Sequence, residues 1–207
     1  GSASANGSVS GTVVAAETTG PILVYLAEVP QKLRGALPSP LPRARIEQRS
    51  RQFVPSSLVV RQGQFVEFAN RDHGYHDVYS LSPGNEFSLG LSREGEPRAV
   101  EMRAAGEVEV YCDLHPDMAA RILVLQNEFQ TQVGPGGGYV LRDVPPGSYT
   151  VVTWSPGHQS ERRRVRVYEG AVSQADFALR PRKAPEGHLG ARGTSEPPGS
   201  ISARGRG

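Results

Sequence analysis

The sequence predicts an all-β protein, and three observations carry that prediction. Apolar residues come in short runs that alternate with polar ones. A helical period is almost absent. Among 207 residues, 24 glycines and 17 prolines divide the runs at short intervals.

Taken in order, alternation places strands at 9–16 and 21–27, the second around the apolar run Ile22-Leu23-Val24-Tyr25-Leu26. Residues 30–42 hold four prolines and read as a linker or irregular crossing, because proline cannot donate to a sheet ladder. Strands at 58–61 and 64–69 follow, joined by a tight turn at Gln62-Gly63. Further strands are expected at 76–81, 99–103, 107–111 and 121–125, with a short helix at 116–120 as a weaker alternative to a loop. The series continues at 139–142, 148–154, 163–168 and 173–179. In the 163–168 run, Val165 and Val167 turn inward, while Arg162, Arg163, Arg164 and Arg166 form a basic cluster read as a solvated face that an acidic partner could dock on. Trp154 is expected to anchor a core and His158 to lie on the surface. From residue 181 onward the composition turns to Pro, Gly, Ser and Arg, which cannot bury enough surface to offset ordering entropy, so 181–207 is expected to be a disordered tail.

Charge narrows the function. The net charge is +2, of which the tail carries +3, so the remainder is near −1 and no strong field points to nucleic acid or an anionic membrane. No apolar stretch reaches 18 residues, so no transmembrane segment is expected. The chain opens Gly1-Ser2 rather than with Met, which we read as a removed targeting segment and an exported, periplasmic or secreted protein. A single cysteine excludes an internal disulfide, a C-x-x-C zinc site and a two-thiolate dinuclear centre.

That cysteine stands in Tyr111-Cys112-Asp113-Leu114-His115-Pro116-Asp117-Met118, and a second run, Asn70-Arg71-Asp72-His73-Gly74-Tyr75-His76-Asp77-Val78, lies upstream. Singly, a buried Cys is a small core hydrophobe, a Met fills gaps and a strand His is hydrogen-bonded structure. Together the two runs offer one thiolate, two imidazoles and a thioether, the donor set of a mononuclear electron-transfer copper site with a weak axial Met. Either His73 or His76 could supply the first imidazole.

Residues 45–125 resemble a cupredoxin, most closely the amicyanin type. The resemblance rests on Leu58-x-Val60-x-x-Gly63-x-x-Val66-x-Phe68-x-Asn70-Arg71-Asp72, on His76-x-Val78 and on Tyr111-Cys112-x-x-His115-Pro116-x-Met118. It implies His76, Cys112, His115 and Met118 as ligands of one copper ion cycling between Cu(I) and Cu(II), with His73 left in a loop. It also implies that Asn70 ties the ligand-bearing strands together. Many cupredoxins have Asn after the first histidine ligand, where this chain has the acidic Asp77.

A second resemblance involves both ends of the chain. Val9-Ser10-Gly11-Thr12-Val13 and Gly138-Tyr139-Val140-Leu141-Arg142-Asp143-Val144-Pro145-Pro146-Gly147-Ser148-Tyr149 resemble a carboxypeptidase regulatory-like, transthyretin-type sandwich. The expected division is 8–37 for its opening strands, 42–126 for a cupredoxin inserted in or packed against it, and 127–180 for its remainder. The combination is similar to bacterial methylamine utilization protein-like cupredoxins. It implies a blue copper protein carrying single electrons between transient redox partners, monomeric and not an enzyme. An apolar patch at Pro116, Ala119 and Ala120 would surround His115. The alternatives are a periplasmic copper chaperone or store, and a structural sandwich with a vestigial site.

Overall fold

The structure is a computed structural model and describes residues 5–16, 20–34 and 42–182. Strands β1 (Gly7–Ala15) and β2 (Leu23–Leu26) come first, and the linker then forms a single 3-10 turn at Gln31–Leu33. Next come β3 (Ala44–Arg49), β4 (Gln52–Val54), β5 (Ser57–Arg61), β6 (Phe65–Asn70), β7 (His76–Ser80), β8 (Phe87–Ser92), β9 (Arg98–Glu101), β10 (Gly106–Cys112) and β11 (Ala119–Leu125). The chain ends with β12 (Gln130–Gln132), β13 (Gly138–Val144), β14 (Gly147–Trp154), β15 (Arg162–Val167), β16 (Val172–Gln174) and β17 (Phe177–Leu179). The all-β expectation holds: among the described residues there is no α-helix, and 116–120 is a turn leading into β11.

Two sheets, ordered β4-β3-β6-β9 and β5-β11-β10-β7-β8, enclose one core. Ile46, Val66 and Phe68 from the first meet Val78, Val110 and Ile122 from the second, all at most 2% exposed. The other two sheets, β13-β1-β16 and β12-β2-β14-β15, enclose a separate core of Val9, Leu26, Leu141, Val151, Val167 and Phe177. Here β1 pairs with β13 and β2 with β14, so strands from both ends of the chain close one sandwich while β3 to β11 lie between them in sequence. A glycine is required at 11, where a Cβ would collide with the Ala175 carbonyl in the segment between β16 and β17.

Four strands are additional to those expected: β3, β4, β8 and β12. Strand β3 reads Ala-Arg-Ile-Glu-Gln-Arg, with Ile46 as its one large apolar residue, and it forms because its ladder runs parallel to the apolar β6. The run expected at 173–179 divides into β16 and β17, because Asp176 leaves the ladder to accept hydrogen bonds from Thr12 N–H (2.7 Å) and Oγ (2.9 Å).

Between the sandwiches, Leu23, Leu123, Leu125 and Trp154 form a third apolar cluster. At its edge the Trp154 indole N–H donates to Glu107 (2.6 Å), which also binds Arg121 and Arg182. Two expectations need correction here. His158 is not on the surface: it is 3% exposed, its Nε2 sits 3.0 Å from the Ala16 carbonyl, and it bridges to Pro181. Pro181 and Arg182 therefore belong to the ordered fold, held by that bridge and by the paired carboxylates of Glu107 and Glu109. The rest of the expected tail, 183–207, lies outside the described residues, as does 35–41 of the expected linker.

Candidate metal centre

Two adjacent strands bring the distant ligand candidates together. His76 opens β7 and Cys112 ends β10, and the two strands pair through Cys112 and Val78. The loop 113–118 is pinned at three points: Asp113 N–H donates to the Asp77 carbonyl (2.9 Å), Met118 N–H to His115 (3.0 Å) and Cys112 N–H to Met118 (3.3 Å). So short a loop fixes His115 beside Cys112.

The thiol faces both imidazoles. Cys112 Sγ lies 3.6 Å from His76 Nδ1 and 3.5 Å from His115 Nδ1, and the two rings are 4.8 Å apart between centroids. The three ligand atoms all fall within 4.8 Å of one another, close enough to hold one metal ion. Bonds of about 2.3 Å to sulfur and about 2.0 Å to nitrogen, spread at about 120°, set such atoms roughly 3.7 Å apart. The two sulfur–nitrogen separations meet that test. One thiolate with two imidazoles suits a soft or borderline metal such as copper or zinc. Met118, 1% exposed, sits in the same apolar cluster as Cys112. His73 faces solvent and binds Glu94 (2.6 Å), away from this group.

Behind His76 stands a support that the sequence reading did not assign. Its Nε2 lies 3.0 Å from Asp72 Oδ2, and that carboxylate also accepts the backbone N–H of Ser50 (2.6 Å) and Arg51 (2.9 Å). Ser50 and Arg51 have φ values of 53° and 55°, and two successive left-handed residues aim their amides at one anion. Burial pushes the Asp72 carboxyl up, but the Arg51 and Ser50 amides and the His76 ring outweigh it and hold it below the ordinary value. Burial likewise pushes the His115 imidazole down, helped by the His76 ring and the Arg51 charge, which favours the neutral, ligating form. An aspartate four residues before a histidine is too common a pattern to reveal this role from sequence.

Asn70 was expected to tie the ligand-bearing strands together; its side chain instead joins the end of β6 to the loop before His76 and to β8. Its amide donates to the carbonyls of Gly74 (2.8 Å) and Ser92 (2.9 Å) and accepts from Asp72 N–H (2.8 Å), locking the loop before His76. Asp77 is partly buried, and its Oδ1 has no hydrogen-bond partner. Of the apolar patch expected around His115, Pro116 and Ala119 are exposed. Ala120 is buried, and the surface pocket at His115 is lined by Leu114 and Tyr75, which are 47% and 56% exposed, together with Arg51 and Gly74. The loop turns its Leu114 side chain outward because Cys112 and Met118 on either side already face the core.

Gln48 on β3 is fully buried beside Asn70 and Phe53 in the ladder, and neither atom of its amide makes a hydrogen bond. Such a group costs about 1–3 kcal/mol of desolvation. Gln48→Met keeps the length and removes the polar atoms, so the metal-free protein is expected to gain stability on that scale in urea unfolding. A loss would show that the amide has a partner.

Comparison with known proteins bears on the second half of the chain. Residues 116–180 match the carboxypeptidase regulatory-like domain. This regulatory-like match runs from the metal loop through β17 and covers less than a third of the chain. No curated protein matches. Solved structures similar to the chain include the Cu(I) form of an amicyanin variant, 19% identical, covering 40% of this chain and 81% of that one at a TM-score of 0.37. A reduced amicyanin variant is 21% identical over 43% of this chain and 96% of its own, with a TM-score of 0.36. A purple cupredoxin from Nitrosopumilus maritimus is 20% identical over 39% and 98%, also at 0.36.

Proposed function

We propose that the chain is a type 1 copper protein carrying single electrons between redox partners in the periplasm or outside the cell, with one copper ion held by His76, Cys112, His115 and Met118. The observation that carries this reading is the meeting of one sulfur and two imidazole nitrogens, from positions 36 residues apart, within 4.8 Å. A bound copper ion supplies a one-electron Cu(I)/Cu(II) couple.

The chain's own residues do the rest. Asp72, fixed by two amides, orients the His76 ring and selects the tautomer that leaves Nδ1 free for metal. The pinned 113–118 loop limits movement between oxidation states. Cys112 at 3% exposure and His76 at 1% are shielded from water, while His115 stays half-buried beneath Leu114 and Tyr75, where a partner can approach its ring. With four donors from the protein, no position is reserved for substrate, so we read a carrier and not an enzyme. Such docking encounters are small and transient. In this reading the copper unit is 42–126, inserted into a regulatory-like unit of 8–37 and 127–180, and the chain acts as a monomer.

Titration of the metal-free protein with Cu(II) tests the reading. One equivalent is expected to bind and to produce an intense visible thiolate-to-copper band, bleached and restored by one electron without loss of metal. A colourless product removes the proposal, and rapid loss of the ion to a chelator would mark a copper-handling protein instead.

A further inference from the structure

Most arginines of this chain's first-described core have acidic neighbours. Arg45, Arg49, Arg71, Arg93 and Arg103 each lie within 3.4 Å of a glutamate oxygen. Strand β15 breaks that rule. It places Arg162, Arg163, Arg164 and Arg166 within five positions, and among the described residues none of the four forms an ion pair.

The strand's register arranges these cations. Val165 and Val167 pack into the regulatory-like core, so Arg162, Arg164 and Arg166 share the opposite, outer face. Their partners across the ladder are Val152, Thr150 and Ser148, none of them acidic. Arg163 is set apart, lying over the Phe177 ring at 5.6 Å, while Arg166 lies over the exposed Tyr168 ring at 5.5 Å. Alternate residues of a strand are roughly 6.7 Å apart, so three like charges stand in a line of about 13 Å with neutral cross-strand partners. Each arginine costs repulsion against the next, and no ion pair among the described residues offsets it.

We infer that the outer face of β15 binds an acidic, extended protein segment whose alternate side chains are carboxylates. A strand-like peptide repeats its same-side groups at the same pitch as the row, so each guanidinium can take one carboxylate in paired hydrogen bonds. The hydroxyls of Ser148 and Thr150 lie alongside to complete the polar contact. The same sheet packs its Leu23 and Trp154 end against the metal-bearing sandwich, and Arg162 is close enough to lower the pKa of Tyr25 against the upward push of burial. A segment held on the row therefore anchors its parent protein along the flank of that sandwich. This inference stands whether or not copper binds.

Fluorescence anisotropy on the full chain tests it, with a labelled peptide of four Glu-Thr repeats, a Lys-Thr peptide of equal length, a DNA duplex and heparin. The Glu-Thr peptide is expected to bind saturably and to weaken as salt rises from 50 to 150 mM, and the Lys-Thr peptide is expected not to bind. Arg164→Glu is expected to weaken the peptide by about tenfold and Arg164→Gln by about fivefold, an exposed charge pair being worth up to about that much. Arg142→Glu, on the outer face of the other sheet, is the control and should leave affinity unchanged. Unaltered thermal midpoints show that the variants fold. The inference is overturned if Arg164→Glu binds the peptide as tightly as the parent, if Arg142→Glu weakens it equally, or if DNA or heparin binds more tightly than the peptide.

Discussion

Replacing Cys112 with serine is expected to abolish the visible absorption of the copper-treated protein and to weaken copper binding by more than a hundredfold, while leaving the chain folded. The thiolate is the only sulfur anion the chain can offer, because Cys112 is its only cysteine, and the intense visible band requires charge transfer from such a sulfur. The serine hydroxyl is nearly isosteric. It would sit where Sγ now faces His76 Nδ1 and His115 Nδ1, either of which can accept its proton, so the buried oxygen is not left without a partner. A loss in metal-free stability of no more than about 1–2 kcal/mol is therefore expected by urea unfolding. Spectral titration and unfolding on the same preparations separate the two effects. Colour retained in Cys112→Ser would place the metal elsewhere, whereas a variant that loses both colour and its unfolding transition would show that the cysteine's main duty is packing.

How much of this centre was legible in the sequence depended on whether each part was local. Cys112, His115 and Met118 lie within seven residues, and their spacing alone states that one short loop can present them together. His76 had one competitor, since His73 is only three residues away. The structure separates them by burial: His76 is 1% exposed and His73 pairs with Glu94 at the surface. What sequence did not disclose are contacts made by chain reversal. The Asp72 carboxylate matters because the β3–β4 turn folds two left-handed residues over it, and neither Ser50 nor Arg51 is a residue from which positive φ would be guessed. Strand β3 was missed for a related reason. Its own residues are mostly charged, and its state is decided by the neighbour β6. His158 was misplaced because its partners, Ala16 and Pro181, come from opposite ends of the chain. The pairing of β1 with β13 was readable as two halves of one resemblance, but the buried cluster that joins the sandwiches was not, since Leu123 and Leu125 alternate with core residues in an all-apolar run.

That cluster leads to the largest expected loss of stability. Trp154→Ala should cost about 3–5 kcal/mol, the range for deleting a large buried aromatic side chain, and should separate the unfolding of the two sandwiches. The indole is 1% exposed and fills the space among Leu23, Leu123 and Leu125, and its N–H supplies Glu107 with a hydrogen bond of 2.6 Å. Alanine leaves a cavity in the apolar cluster that lies between the two sandwiches. It also withdraws a donor from a carboxylate that keeps only its arginines. Each sandwich retains its own core, so the loss falls on the coupling between them. Calorimetry of the metal-free protein is expected to show one transition for the parent and two for Trp154→Ala; under the proposed copper binding, the transition of the sandwich that carries His76 and Cys112 should rise when copper is added, as for any ligand of a folded state. Trp154→Phe keeps most of the volume and drops the donor, so it should lose about 1–3 kcal/mol and remain a single transition. If Trp154→Ala still melts in one step within about 1 kcal/mol of the parent, the sandwiches are coupled through Arg182 and the Glu107–Glu109 pair instead, and the apolar cluster is incidental to their union.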